Sequence, residues 1–242
     1  MRRLLTVAAA FLLTFGSPVV AQDRVFQITP YIWGTGVGGS VSPVAGGPRL
    51  RFREGLSDVL EDLDSAFFLS GLYRQGRFVV IGDYSASRSS RTGVVPGLGI
   101  AARGRVEQSS LTLAAGYRAL DGGRATVDYL VGLRHWDIKA RATTPVPGLS
   151  ARLSLDFTDP VLVARTNVRI ADRWSATGYV DVGGFGAGSD MSAQLLATVN
   201  WQTRDRLFLS VGYRHLEVDY DKGGRGFDVE FSGPVLGLSL QF

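Results

Sequence analysis

The chain has 242 residues, 45% of them hydrophobic and 20% charged, with no cysteine and a formal net charge of +4. Without cysteine there is no disulfide, no thiolate metal site and no thiol nucleophile. The small positive balance comes with no clustered basic helix and no recognition motif, so nothing points to nucleic acid.

The first residues read as a secretory signal. Arg2 and Arg3 precede an apolar run from Leu4 to Phe15, and Val19-Val20-Ala21 supplies small or modest residues before a cut. That is the layout of a signal peptide, so residues 1–21 are expected to be removed and 22–242 to form one exported domain. The run is short for a spanning helix. No later segment approaches eighteen uninterrupted apolar residues, although the mean hydropathy of +0.10 is high for a chain with this much charge.

From residue 24 onward apolar and polar residues alternate with period two, the strand period. The runs predict strands over about 24–34, 64–74, 77–87, 99–119, 124–141, 151–170, 174–185, 191–202, 206–220 and 227–242. Ten strands result. Eight or twelve remain open, because 38–53 can pair as a further hairpin. Short turns fall at Arg74-Gln75-Gly76-Arg77, Asp121-Gly122-Gly123-Arg124, Ala171-Asp172-Arg173 and Thr203-Arg204-Asp205. Longer connections fall at 35–63, 88–98, 142–150, 186–190 and 221–226. Short turns on one side and long loops on the other are the outer-membrane pattern, with the short set periplasmic.

One stretch breaks the alternation. Leu56, Val59, Leu60 and Leu63 recur at helical spacing, with Asp58, Glu61 and Asp62 between them, and Gly55 or Ser57 can start the helix. A short amphipathic helix in the first long loop is expected. It would be a lid at the barrel mouth, an interfacial segment or a loop packing its own small core. Its acidic face argues against anionic lipid.

The strand faces are distinct. Val127, Tyr129, Val131 and Leu133 oppose Asp128, Gly132 and Arg134. Leu207, Leu209, Val211 and Tyr213 oppose Ser210, Gly212 and Arg214. Leu111, Leu113, Ala115 and Tyr117 oppose Gln108, Ser110, Thr112 and Arg118. Leu236, Leu238, Leu240 and Phe242 oppose Gly237, Ser239 and Gln241. Period two alone does not separate a soluble sandwich, apolar face inward, from a barrel with apolar face to lipid. The signal segment and the aromatic Phe242 ending favour an all-β, antiparallel up-and-down transmembrane barrel. Closure pairs every backbone group, as hydrocarbon demands.

The stretch Gly237-Leu238-Ser239-Leu240-Gln241-Phe242 resembles the assembly signal that the barrel-insertion machinery reads. The chain resembles small OmpA/OmpW-like barrels. More narrowly, Pro30-Tyr31-Ile32-Trp33-Gly34, Gly116-Tyr117-Arg118, Asp159-Pro160, Asp181-Val182-Gly183-Gly184-Phe185-Gly186, Gly188-Ser189-Asp190 and Gly212-Tyr213-Arg214 resemble a family of uncharacterised bacterial outer-membrane proteins. The resemblance covers nearly all of 25–242. It implies a place in the bacterial outer membrane and says almost nothing about activity.

An internal echo carries the charged candidates. Gly132-Leu133-Arg134-His135-Trp136-Asp137-Ile138 matches Gly212-Tyr213-Arg214-His215-Leu216-Glu217-Val218, and Gly116-Tyr117-Arg118 is a partial third copy. Alternation turns Arg118, Arg134 and Arg214 into the lumen, with Asp83, Asp128, Asp181, Arg165 and Asn167. Two readings follow: ion pairs that largely fill a narrow lumen, or a selectivity ring in a small pore for solutes.

His135 and His215 are the only histidines. They face outward with Asp137 and Glu217, away from any luminal site. A hydrolase acting on lipid or a shared metal ranks below rim residues near headgroups. Arg49, Arg51, Arg53, Arg88, Arg91, Arg103, Arg105, Lys139 and Arg141 gather on the outer side, where lipopolysaccharide presents phosphates. Trp33, Trp136, Trp174 and Trp201 fall near strand ends and are expected in an aromatic girdle. No phosphate-cradling motif occurs. The sequence thus predicts no catalytic residue, cofactor or metal. It predicts an envelope protein in contact with outer-membrane lipid and lipopolysaccharide, with a narrow channel second and a lipid hydrolase third.

Overall fold

The computed structural model describes residues 24–42, 50–94, 99–147, 150–222 and 225–242. The expected signal segment and Arg49 lie outside these residues. The elements are β1 (Arg24–Trp33), β2 (Gly36–Ser42), β3 (Leu50–Glu54), α1 (Leu56–Asp62), β4 (Leu63–Gln75), β5 (Phe78–Val94), β6 (Ala101–Asp121), β7 (Ala125–Thr143), β8 (Ala151–Ala171), β9 (Trp174–Gly184), β10 (Met191–Arg204), β11 (Leu207–Lys222) and β12 (Arg225–Gln241).

Ten of these strands make the barrel. β1 and β4 to β12 pair antiparallel in sequence order, and β12 returns to β1 through Gln27↔Gln241 to Trp33↔Val235. The hairpin foreseen as an alternative also exists. β2 pairs with the outer part of β12, from Ser232↔Gly36 to Gly226↔Ser42, and β3 pairs with β2. The sheet therefore holds twelve strands, of which ten close. The tight turns gather at one end, here the inner end. At one of them Gly76 takes a φ of +59°, which glycine adopts without a Cβ penalty.

The barrel wears its apolar side chains outside. Val131, Leu133, Leu195, Val211 and Leu238 are all well exposed on its outer face. Leaving such side chains in water forgoes about 1.5–3 kcal/mol each, and an apolar band around a closed barrel belongs in hydrocarbon. Aromatic residues mark its inner edge. Trp174 stacks on Trp201 with ring centroids 6.0 Å apart, and Phe26 meets Phe242 at 6.1 Å. Tyr117 and Tyr129 are neighbours across β6 and β7.

Trp33 and Trp136 do not join this girdle. Both are buried and face the lumen. The reason is a change of surroundings along each strand. On β7 the apolar residues Val127, Tyr129, Val131 and Leu133 lie on the outward face, and Leu130 is the one large apolar side chain before Arg134 that points inward. Beyond Arg134 the apolar residues are Trp136 and Ile138, which point inward, while His135 and Lys139 take the outside. On β11 the same change puts Leu216 and Val218 inside. The strands have not rotated; the wall has left the lipid, so its outside is wet and its inside becomes a conventional core. That core joins Trp33, Trp136, Ile138, Leu155, Phe157, Leu216, Val218, Phe227, Val229, Phe231 and Val235. The reading of a charged lumen thus needs correcting: the charged groups occupy the middle and inner parts together with a smaller apolar cluster of Val79, Ala114, Leu130, Val161 and Val163, and the outer part is apolar.

The wall also has a seam. β1 pairs with β4 only from Arg24↔Gln75 to Pro30↔Leu69. Farther out, the chain of β1 and β2 follows β12, while β4 keeps only β5, from Phe68↔Ser85 to Leu63↔Ser89. Helix α1 sits beside this gap, touching β2, β3 and β5.

Candidate functional site: the luminal belt and the chamber above it

Seven ionisable residues were singled out from the sequence, and the structure places them in two groups along the lumen. Near the inner end, Arg118 donates to both oxygens of Asp128, with Nε at 2.7 Å from Oδ1 and Nη2 at 3.3 Å from Oδ2. Arg165 Nη1 adds a bond of 3.2 Å to Asp128 Oδ2. Asp128 is fully buried, so two guanidinium groups share one carboxylate.

The second group forms a belt across mid-lumen. Arg214 donates through Nη1 to Tyr31 Oη at 2.6 Å and through Nη2 to Asp83 Oδ1 at 3.0 Å. Its Nε and Nη2 also reach Gln194 Oε1, at 3.1 and 2.6 Å. Tyr31 Oη in turn donates to Asp83 Oδ2 at 2.9 Å. Beside this knot Arg134 donates to Asp181 Oδ2 at 2.5 Å and to Thr112 Oγ1 at 2.9 Å. Arg134 and Asp181 are each 1% exposed. Charges this deep survive only with good partners, because desolvation costs several kcal/mol per ion.

The sequence places Thr112 on the luminal face beside Arg118 but gives it no partner, and Tyr31, Gln194 and Asp159 are not among the luminal residues read from it. Gln194 was findable, since alternation on β10 puts it inside. Asp159 stands opposite Arg134 in the β7–β8 register, yet its carboxylate accepts from Ser189 N at 2.6 Å and Ser189 Oγ at 2.8 Å. It pins the β9–β10 connection.

Among the described residues, three cavities follow one another along the lumen. The inner one, about 260 Å³, is lined by Arg118, Asn167 and Gln241, and a middle one of about 150 Å³ by Asp83, Tyr179 and Arg214. Gln27, Arg165 and Asn200 line both. The outer chamber is larger, about 480 Å³, and shares no lining residue with the middle one. The belt is the partition between them.

Helix α1 starts at Gly55, whose N–H donates to Asp58 Oδ2 at 2.9 Å. No residue of the helix is buried. Val59, Leu60 and Leu63 line the outer chamber, and Leu63 already belongs to β4. Leu56 lies against Gly34, at the bend between β1 and β2. Arg91 of β5 ties both ends of the segment, with Nη1 at 2.8 Å from Glu54 Oε1 and Nε at 3.3 Å from Asp62 Oδ2. Asp62 beside it holds the Arg91 guanidinium above its ordinary range.

On the outer surface the basic residues divide. Arg88 pairs with Glu107 at 3.1 Å and Lys139 with Asp137 at 2.8 Å, while Arg91 is engaged as described. Arg105, Arg141 and Arg152 stand in one row across β6, β7 and β8, through Arg105↔Arg141 and Arg141↔Arg152. Arg103 lies two residues farther along β6. All four are exposed, and none is in an ion pair among the described residues. Arg152 was not in the basic set read from the sequence; its register with Arg141 reveals it.

The two histidines lie outside, as their alternation predicted. His135 Nδ1 is 3.0 Å from Thr158 Oγ1, and His215 Nδ1 is 2.6 Å from Ser232 Oγ. They stand on β7 and β11, four strands apart, and share no site. The aromatic end of β12 is bound to β1: Phe242 N donates to Phe26 O at 2.8 Å. Leu238, Leu240 and Phe242 face outward, and Gly237 faces the lumen beside Thr29.

No protein-family model matches the chain, and no curated protein matches it. Solved structures do. The chain is similar in fold to the outer membrane protease OmpT from Escherichia coli, with a TM-score of 0.58 at 9% identity over 92% of this chain and 98% of that one. Ail, the attachment invasion locus protein of Yersinia pestis, matches at 14% identity with a TM-score of 0.39, over 91% of this chain and 99% of that one. The P. putida toluene transporter TodX matches at 11% identity and 0.33, over 90% of each. The architecture is that of a small outer-membrane β-barrel.

Proposed function

We propose that this protein is an integral surface component of the bacterial outer membrane. The luminal belt closes it to ions at rest, and the phosphate groups of lipopolysaccharide hold it in the outer leaflet. The observation that carries this reading is the row Arg105, Arg141 and Arg152. Like charges directly opposite on neighbouring strands destabilise a sheet. A row of three on the outer face makes sense where a polyanion neutralises it, and arginine grips phosphate through two parallel bonds. The row lies on the wet part of the wall, eight residues beyond Leu133 along β7, on the side from which lipopolysaccharide projects. A non-enzymatic role fits the histidines: His135 has Thr158 on Nδ1 at 3.0 Å but Asp156 3.7 Å from Nε2, beyond hydrogen-bond reach, and His215 meets Ser232 and Glu230 through the same nitrogen. Neither set has the relayed geometry of a nucleophile, base and orienting acid.

The test exploits a change of sign. In lipid-free detergent, Arg141→Ala removes a repulsion and leaves melting unchanged or slightly raised. With lipopolysaccharide present the same variant melts lower than wild type and co-purifies with less lipid. Equal behaviour of variant and wild type in both media would refute the reading.

A further inference from the structure

We propose that the outer chamber is a binding site for one small apolar molecule, of one to two fused rings, and that the molecule passes between chamber and membrane through the β1–β4 seam under helix α1. This does not depend on the lipopolysaccharide reading.

The first support is the wall. Trp33, Phe68, Trp136, Leu216, Phe231 and Val229 surround a space of about 480 Å³. That is within the ~300–1,000 Å³ range of small-molecule sites. Ser85, Ser87, Gln108 and Ser110 line its β5–β6 side and Glu54, Asp62 and Arg91 its mouth, so the wall is mainly apolar with a few polar groups, the make-up of a small-molecule site. A folded core rarely keeps such a void, because each missing contact is lost stability. The second support is the donors. The indole N–H groups of Trp33 and Trp136 are buried without a hydrogen-bond partner among the described residues. A guest with one acceptor oxygen gives one of them a partner after a small turn of the ring.

The third support is the route. Most of the barrel wall is stitched by antiparallel ladders, but β1 and β4 part beyond Pro30↔Leu69. The chamber lining runs out through that gap. It includes Ile32, which is 66% exposed on the lipid side, and Leu60 of α1, which is 54% exposed. The floor is shut: Arg214 and its partners separate the chamber from the polar cavities below. An apolar molecule entering here has an apolar way out at the inner end of the seam, where Ile32 stands opposite Leu236 of the lipid-facing band, and a charged barrier towards the inner end of the barrel. Among the described residues only α1, with no buried residue and held by Arg91 from one side, covers the gap.

The experiment uses the exported chain in lipid nanodiscs, in a Trp174→Phe, Trp201→Phe background, so that emission comes from Trp33 and Trp136. The probe is 1-bromonaphthalene, an apolar heavy-atom quencher. Saturable quenching is expected. It should weaken at least tenfold when the chamber is filled by Ala140→Phe or, independently, by Ser87→Phe, each checked for native heat-modifiable migration. Because the chain has no cysteine, Gly34→Cys with Leu56→Cys can be bridged by a short thiol cross-linker that pins α1 over the seam. The bridge should slow the onset of quenching at least tenfold and leave its endpoint unchanged. Quenching that rises linearly without saturation, or that ignores both filling variants, overturns the site. Saturable quenching whose rate ignores the bridge overturns the route.

Discussion

The guanidinium carbon of Arg214 lies 4.5 Å from the centre of the Trp33 ring. This contact is the boundary between the two halves of the lumen. Below it, Arg214 takes part in a web of hydrogen bonds with Asp83, Tyr31 and Gln194. Above it, Trp33 begins the apolar chamber. A cation over an aromatic face contributes about 0.5–2 kcal/mol. It also lets a charge end against an apolar wall without a bare, unsatisfied surface.

The belt should decide conductance. Wild-type barrels in planar bilayers are expected to be silent, because Arg214 of β11 reaches Asp83 of β5 across the lumen at 3.0 Å and Arg134 fills the space beside it, bound to Thr112 and Asp181. Arg134→Ala combined with Arg214→Ala should open discrete, small conductances. A conducting wild type, with selectivity unchanged by these substitutions, would move the barrier elsewhere.

The Arg134–Asp181 pair offers a sharper energetic test. Removing one member strands the other in the core, so Arg134→Met should destabilise the barrel by about 3–5 kcal/mol in urea unfolding. Arg134→Met together with Asp181→Leu should recover most of that loss, since two apolar side chains need no partner. If the double variant were as unstable as the single one, the belt would be acting through packing and not through charge.

The glycines of the repeated motif are expected to be intolerant. A Cβ on Gly132 would overlap the backbone of Leu113 and Ala114, and one on Gly212 the backbone of Ala197 and Thr198. These are close strand approaches in a tightly curled wall, the role glycine takes at barrel bends. Gly132→Val should abolish refolding as read by heat-modifiable migration. Gly123→Val, where a Cβ meets nothing within 4 Å, should not.

Arg91 is the expected latch of α1. Arg91→Ala frees Glu54 and Asp62 together. Amide exchange should speed up several-fold across 55–63 and remain unchanged in β7 and β8. A uniform rise across the barrel would instead mean that the whole outer wall had loosened.

Much of the fold was legible because a membrane barrel writes its two faces into alternate residues. Leu133 against Arg134, or Tyr213 against Arg214, already told outside from inside. The outer chamber was not read, although Trp136-Asp137-Ile138 inverts the pattern of Val131-Gly132-Leu133 and so carried its trace. Read as continuous alternation, that inversion looks like noise; it is the water line. The seam was not readable, because strand pairing depends on how far β1 follows β12 in preference to β4, and no local property of Pro30 or Leu69 encodes it. The row of outward arginines needed the register between Arg141 and Arg152, which no single strand contains.

A tube slit along part of its length is mechanically unlike an intact one. The inner portion of this barrel is a closed hoop and resists twisting all round. The outer portion, where residues 63–68 of β4 lack a β1 neighbour, is a cuff whose free edges can slide past each other with little resistance. A load on the wall would therefore be taken up unevenly, widening or narrowing the cuff above the lipid while the hoop within it keeps its diameter. The protein thus has a stiff end and a compliant end, and the compliant end is the one that faces outward.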